Sequence, residues 1–327
     1  MKKFISFFIV LILIISTMTA CSQNNSDPIK QSSQDTGDKL NIVTTIFPQY
    51  DFARQITKNK AEITMLLAPG VESHSYEPTP QDIIKIQKSD AFIYVGGESD
   101  EWVKEILESM DTSKMAVINL MDCVEPVKEE IVEGMEEEKD EGDEHKNGEE
   151  IIEYDEHIWT SPRNAMLITN KIAEELSRID SKNAEEYKKN AADYVKELQK
   201  LDKDFQSVVE SGKRKTIAFG DRFPFRYFAD AYGLSYTAAF PGCSTDTEPS
   251  AATIAYIIDK VKNEKLPVIY YIEFSNHKVA DSISEATGAK ALLLHSCHNV
   301  SREDLDKGVT YLDLMKKNVE NLKEALN

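Results

Sequence analysis

Residues 41–67 read NIVTTIFPQYDFARQITKNKAEITMLL. Apart from Asn41 the first six are β-branched or apolar, residues 48–57 open on a proline and continue in a helix-compatible pattern, and residues 62–67 are so again after Glu62. Short apolar runs separated by a helix imply parallel strands covered on both faces. The pattern continues outward. Thr79-Pro80-Gln81-Asp82 supplies a cap residue followed by proline at a first helical position. Residues 91–95 and 115–120 are two further buried runs, with an amphipathic helix around Trp102 and Ile106 between them.

The second half repeats this alternation. Strands are expected at residues 216–219, 235–239, 268–273 and 291–294, and helices at 225–232, 249–263, 278–287 and 309–325. Between the halves, Tyr187, Ala191, Tyr194, Leu198, Leu201, Phe205 and Val208 alternate spacings of four and three, a continuous apolar stripe on one helix face. A helix over residues 181–209 would be about 43 Å long. The expected fold class is therefore α/β: two doubly wound parallel-sheet domains, at 40–127 and 212–327, joined through 157–211 by one long backbone helix. Ligands of such sheets bind beyond the carboxyl ends of the strands, which puts the expected site in the interdomain cleft.

The 327 residues carry 38 Lys and Arg against 57 Asp and Glu, a net charge of −19. Nucleic-acid binding depends on clustered cations, so no nucleic-acid partner is expected. Residues 128–156 hold 15 acidic and 3 basic side chains, a net of −12, and lack apolar periodicity. They read as a mobile acidic loop, either a solvated insertion or a weak cation collector in which His145 is the strong nitrogen donor.

At the N-terminus, Lys2 and Lys3 precede an apolar run over residues 4–15 that ends in Met18-Thr19-Ala20-Cys21. That is a secretion leader over 1–20, too short for a permanent span. The cysteine after Thr19-Ala20 makes it similar to a lipoprotein signal, which implies lipidation of Cys21 and anchoring on the outer face of the cell membrane. Residues 21–39 are polar and read as a flexible tether. Of the remaining cysteines, Cys243 and Cys297 both follow expected strands in the C-terminal half. They are the favoured disulfide in an oxidising compartment, with Cys123 left over; the competing reading makes either a soft metal ligand.

Strand-end positions collect the candidate donors. His74 lies in the loop after 62–67, Asp221 after 216–219, and Cys243 after 235–239. Glu273 ends its strand, His295 follows 291–294, and His157 stands where the chain enters the joining helices. Imidazole is a common ligand for zinc, copper, nickel and iron, and carboxylate adds hard oxygen character. Three histidines at separated loops of two α/β domains point to a metal centre.

Ala68-Pro69-Gly70-Val71-Glu72-Ser73-His74-Ser75-Tyr76-Glu77-Pro78-Thr79-Pro80 resembles the first metal-ligand motif of the solute-binding lipoproteins of zinc and manganese ABC importers. Asp155-Glu156-His157-Ile158-Trp159-Thr160-Ser161-Pro162 is similar to the second. Arg226-Tyr227-Phe228 with Ala231-Tyr232-Gly233-Leu234, and Thr247-Glu248-Pro249-Ser250, match C-terminal landmarks. The resemblance covers residues 41–326. It implies a helical-backbone metal-binding protein, grouped with the cell-adhesion lipoproteins, that is not an enzyme. It also implies a monomer delivering metal to a membrane permease with its ATPase. His74 and His157 carry over as ligands. The third family ligand falls on Arg222 or Gly220, neither a metal donor, so that position stays open among Asp221, Cys243, Glu273 and water. The fourth falls on His295, in Leu294-His295-Ser296-Cys297-His298.

Three histidines in tetrahedral geometry suit Zn2+, whereas an oxygen-rich octahedral site would suit Mn2+, the alternative. Two other readings remain. One is a binding protein of the same architecture for an organic or chelated-metal ligand, with a wide, Arg-rich site. The other is a metallohydrolase, which needs an open coordination position and a base; no HExxH is present and Glu273 is the obvious base.

Overall fold

The computed structural model describes residues 39–74, 76–136, 153–244 and 248–327. The leader, Cys21, the tether through residue 38, His145 and residues 137–152 of the acidic stretch lie outside them. The first strand, β1 (Leu40–Thr44), leads into helix α1 (Phe47–Thr57), which takes Pro48 in its first turn, where a missing N–H costs nothing. Then come β2 (Ala61–Met65), α2 (Pro80–Gln87), β3 (Ala91–Tyr94), α3 (Glu101–Glu108) and β4 (Ala116–Asn119). Helix α2 starts where the sequence places it. Thr79 and Asp82 form a reciprocal capping box, and Pro80 stands at the first turn. The four strands are all parallel in the order β2-β1-β3-β4.

Two helices follow, α4 (Pro162–Ile179) and α5 (Ala184–Ser211). All seven residues of the apolar stripe are buried on α5. They belong to a core that runs without a break from Ile42 of β1 and Phe52 of α1 to Phe219 and Tyr270 in the C-terminal half. Lys39–Asn327 is accordingly one compact unit.

The C-terminal half contains β5 (Thr216–Ala218), β6 (Arg222–Phe223), α6 (Arg226–Tyr232), β7 (Ser235–Thr237), β8 (Phe240–Pro241) and α7 (Ala251–Glu264). It continues through β9 (Val268–Tyr271), α8 (Lys278–Thr287), β10 (Lys290–Leu293), α9 (Arg302–Asp306) and α10 (Tyr311–Leu326). Strands β5 and β7 pair in parallel, as do β9 and β10. A parallel bridge from Phe219 to Tyr270 joins the pairs, with Gly220 N–H donating to the Tyr270 carbonyl at 2.9 Å. The resulting order, β7-β5-β9-β10, repeats that of the first sheet.

The sequence reading ran β7 on to residue 239. The chain instead breaks after Thr237 and forms a separate short parallel pair, β8 with β6, through Arg222–Phe240 and Phe223–Pro241. Among the described residues no helix is long and apolar enough to cross a membrane.

Candidate metal centre

The loop after β2 turns at Gly70, whose φ of +79° suits a residue without Cβ. It is tied down from the loop after β10: Gly70 N–H donates to the Val300 carbonyl at 2.9 Å, and Asn299 Nδ2 donates to the carbonyls of Ala68 and Val71 at 2.7 and 2.9 Å. Glu72 Oε1 accepts the N–H groups of Ser73 and His74 at 3.0 and 3.3 Å, which holds His74 at the inner end of the loop.

Its ring is oriented by a relay. Ser99 Oγ donates to Glu156 Oε1 and lies 3.0 Å from His74 Nδ1. With its proton committed to the carboxylate, the hydroxyl accepts from Nδ1–H, which leaves Nε2 as the ring's lone-pair donor. His298 repeats this construction. Its Nδ1 is 3.0 Å from Ser296 Oγ, which donates to Glu273 Oε1 at 2.6 Å. His157 is simpler: Asp155 Oδ1 lies 3.1 Å from its Nδ1 and accepts its backbone N–H at 2.8 Å. The Nε2 atoms of His157 and His298 are buried and have no hydrogen-bond partner. Orphaned buried polar atoms are costly, and here two stand side by side.

Donor atoms of His74, Glu156, His157 and His298 all lie within 4.8 Å of one another. The imidazole centroids are 5.6 Å apart for His74 and His157, 5.2 Å for His74 and His298, and 4.6 Å for His157 and His298. Trp159 walls the site, its ring 4.8 Å from that of His298 and its Nε1–H donating to the Ser296 carbonyl at 2.8 Å. The backbone also passes close at Gly242, where a Cβ would lie 3.0 Å from His157 Cε1 and crowd the ring. The free space over the cluster, lined by Glu72, His74, Arg222, Glu273, Phe274 and His298, is about 10 Å³. That admits one water-sized group. Three imidazoles and one carboxylate, oriented by outer hydrogen bonds, make a donor set suited to tetrahedral zinc.

The charge states suit ligation. Burial, with the neighbouring His157 and Arg222, lowers the His74 pKa to about 3. Burial and the surrounding cations hold His298 well below the ordinary imidazole value. Both rings are therefore neutral at neutral pH. For His157, burial acts downward, but the charge and hydrogen bond of Asp155, with Glu156 and Glu129, outweigh it and raise the pKa. Burial raises that of Glu156, against the pull of His157 and the Ser99 hydrogen bonds.

The structure thus brings His74 and His157 together but replaces His295. His295 Nδ1 accepts the Cys297 N–H at 3.0 Å, and its backbone is pinned to α10 by both groups of the Asn318 amide, at 2.9 and 2.7 Å. Cys297 then takes a left-handed conformation, φ +65°, and the turn directs the second histidine of the run into the cluster. Asp221 is a loop anchor, accepting from Arg222 N–H at 2.9 Å and Ile272 N–H at 3.4 Å. Glu273 receives the N–H groups of Ser296 and His298 at 2.7 and 3.1 Å and so supports a ligand loop from behind.

Cys243 lies beside the site, its N–H donating to Glu129 Oε1 at 3.2 Å, but it is not in the cluster. The expected Cys243–Cys297 disulfide is absent: Cys123, Cys243 and Cys297 are free. Cys297 is sealed in the core near Tyr194 and Tyr311, whereas Cys243 faces Glu156, Asp155 and Glu129. Sequence reasoning missed His298, Glu156, Ser99 and Ser296. For His298 and Glu156 the one available signal was a neighbour already singled out, His295 and His157 respectively; Ser99 had none.

Comparison with known proteins gives a consistent result. The profile of the family described as zinc-uptake complex component A, periplasmic, matches residues 42–325. The high-affinity zinc uptake system protein ZnuA of Bacillus subtilis is 34% identical over 325 residues, covering 99% of this chain and 98% of that protein. The zinc-binding lipoprotein AdcA of Streptococcus pneumoniae is 35% identical over 289 residues, 88% of this chain but 56% of its own length. The chain therefore spans little more than half of that relative. The Zn(II)-bound ZnuA-like domain of the same AdcA superposes with a TM-score of 0.72 at 31% identity, covering 88% of this chain and 99% of that domain.

Proposed function

The chain belongs to the zinc-uptake complex component A family, and on that premise we propose that it is the extracytoplasmic zinc-capturing subunit of an ABC importer. Zinc is its cargo, held by His74, His157, His298 and Glu156, and is passed to a membrane permease driven by an ATPase. The observation that carries this reading is the pair of partnerless buried Nε2 atoms on His157 and His298, inside a four-donor cluster no wider than 4.8 Å. Four convergent protein donors complete a tetrahedron, which fits a carrier rather than a hydrolase needing an open position. Room for about 10 Å³ over the cluster likewise favours a bare ion over an organic chelate. Three nitrogen donors favour zinc over manganese. Lipidation at Cys21, anchoring the protein outside the membrane, completes the reading.

Elemental mass spectrometry of the mature chain, after exposure to equimolar zinc and manganese, tests it. The expected result is one zinc per chain, lost in a His157→Ala/His298→Ala double variant. Manganese in preference to zinc, or zinc retained by the double variant, would overturn it.

A further inference from the structure

Arg222 stands at the mouth of the metal site but is not a possible ligand, since a guanidinium offers donors only. Its side chain is 8% exposed. One arm, Nη2, donates to Glu72 Oε2 at 2.7 Å, and the other, Nη1, donates to the Ser244 carbonyl at 3.1 Å. The mount is rigid. Arg222 pairs with Phe240 in the β6–β8 ribbon, and its N–H is held by Asp221 Oδ1 at 2.9 Å. Glu72 divides its two oxygens: Oε2 takes the guanidinium, while Oε1 takes the N–H groups of Ser73 and His74 at 3.0 and 3.3 Å. The carboxylate is thus a bridge from a fixed cation in the C-terminal half to the backbone of a ligand in the N-terminal half.

We propose that Arg222 is a positioning residue that clamps the His74 loop through Glu72 and so sets how long zinc stays bound. The inference rests on the zinc-carrier reading above. Direct ligation is unaffected by the pair; what it controls is the freedom of the His74 loop to swing out. Its effect therefore falls on release rather than capture. Glu72 is 41% exposed, so water screens the pair and the effect is moderate.

The experiment is stopped-flow release of zinc from the loaded mature chain into excess fluorescent chelator, at two chelator concentrations, with capture rates measured in parallel. Arg222→Gln and Glu72→Gln are each expected to speed release by about fivefold, about 1 kcal/mol, with capture within about twofold of the parent. Because both changes break one bridge, the Arg222→Gln/Glu72→Gln double variant should release no faster than either single one. Arg222→Lys, which keeps a cation for Glu72, should restore part of the slow release. Glu72→Gln, at a half-exposed site, guards against a folding defect in the Arg222 variant. Release at the parental rate in both single variants, or strictly multiplicative effects in the double variant, overturns the clamp alone. A parent chain that takes up no zinc overturns the function and the clamp with it.

Discussion

His157 and His298 meet edge to face, their ring planes at 85° and centroids 4.6 Å apart, although 141 positions separate them in the chain. Their proximity leaves two partnerless imidazole nitrogens in one buried space. Removing one should remove a metal ligand. His298→Ala is expected to weaken zinc binding by more than the roughly 10–100-fold typical of an outer-sphere loss, and His295→Ala, which removes only the acceptor of the Cys297 N–H, by clearly less than His298→Ala. Competitive titration against a zinc indicator measures both; equal effects, or the reverse order, would restore His295 as the ligand.

The serine relays give a second prediction. Ser296→Ala deletes the hydroxyl between His298 Nδ1 and Glu273, and Ser99→Ala deletes the one between His74 Nδ1 and Glu156. Each should cost about 10–100-fold in zinc affinity while leaving one zinc per chain at saturation. A loss of stoichiometry instead would make these serines part of the fold rather than of the site.

The dependence on pH follows from unequal histidines. His74, lowered to about 3, and His298, also strongly lowered, bind no proton at neutral pH. His157 is raised above its ordinary value, so as the pH falls it is the first of the three to take up a second proton, one that zinc must displace from Nε2. Lower pH favours the protonated, metal-free ring, so affinity falls as pH falls, by about tenfold per unit where one proton is released. Calorimetry in buffers of different ionisation enthalpy should show proton release from the imidazoles growing as the pH is lowered and reaching about one rather than three, since only His157 is shifted upward.

The free thiols are directly countable. Unfolded without reductant, a chain beginning after Cys21 should expose Cys123, Cys243 and Cys297 to alkylation, three adducts by mass. In the folded chain Cys297, fully buried and with its thiol pushed up by that burial, should stay unlabelled. Protection of two thiols until reduction would instead establish a disulfide.

Local patterns carried much of this architecture. The four-and-three spacing on α5 and the capping residues at Thr79 and Asp82 depend on near neighbours, and such signals survive in a bare sequence. His74 and His157 could be singled out because their flanking motifs are distinctive, and the fold brings their rings to 5.6 Å between centroids. The choice between His295 and His298 was not, because it is made by Asn318, 23 residues away, and by a left-handed Cys297 that no periodicity announces. Asp221 was placed correctly in the strand-end region but its role is settled by backbone N–H groups of Arg222 and Ile272, invisible until the loops are folded together. The break after Thr237 arises in the same way, from pairing of Phe240 with Arg222.

Helix α5 has a mechanical consequence. Its 28 residues form a rod of about 42 Å at about 1.5 Å per residue, gripped along one side by the core common to both sheets. A rod held in this way tilts rather than bends. Tilting it by about one degree would displace its far end by only about 0.7 Å, from the same length. A one-degree tilt of this element would thus be an ångström-scale change at the surface, far smaller than an opening of the cleft.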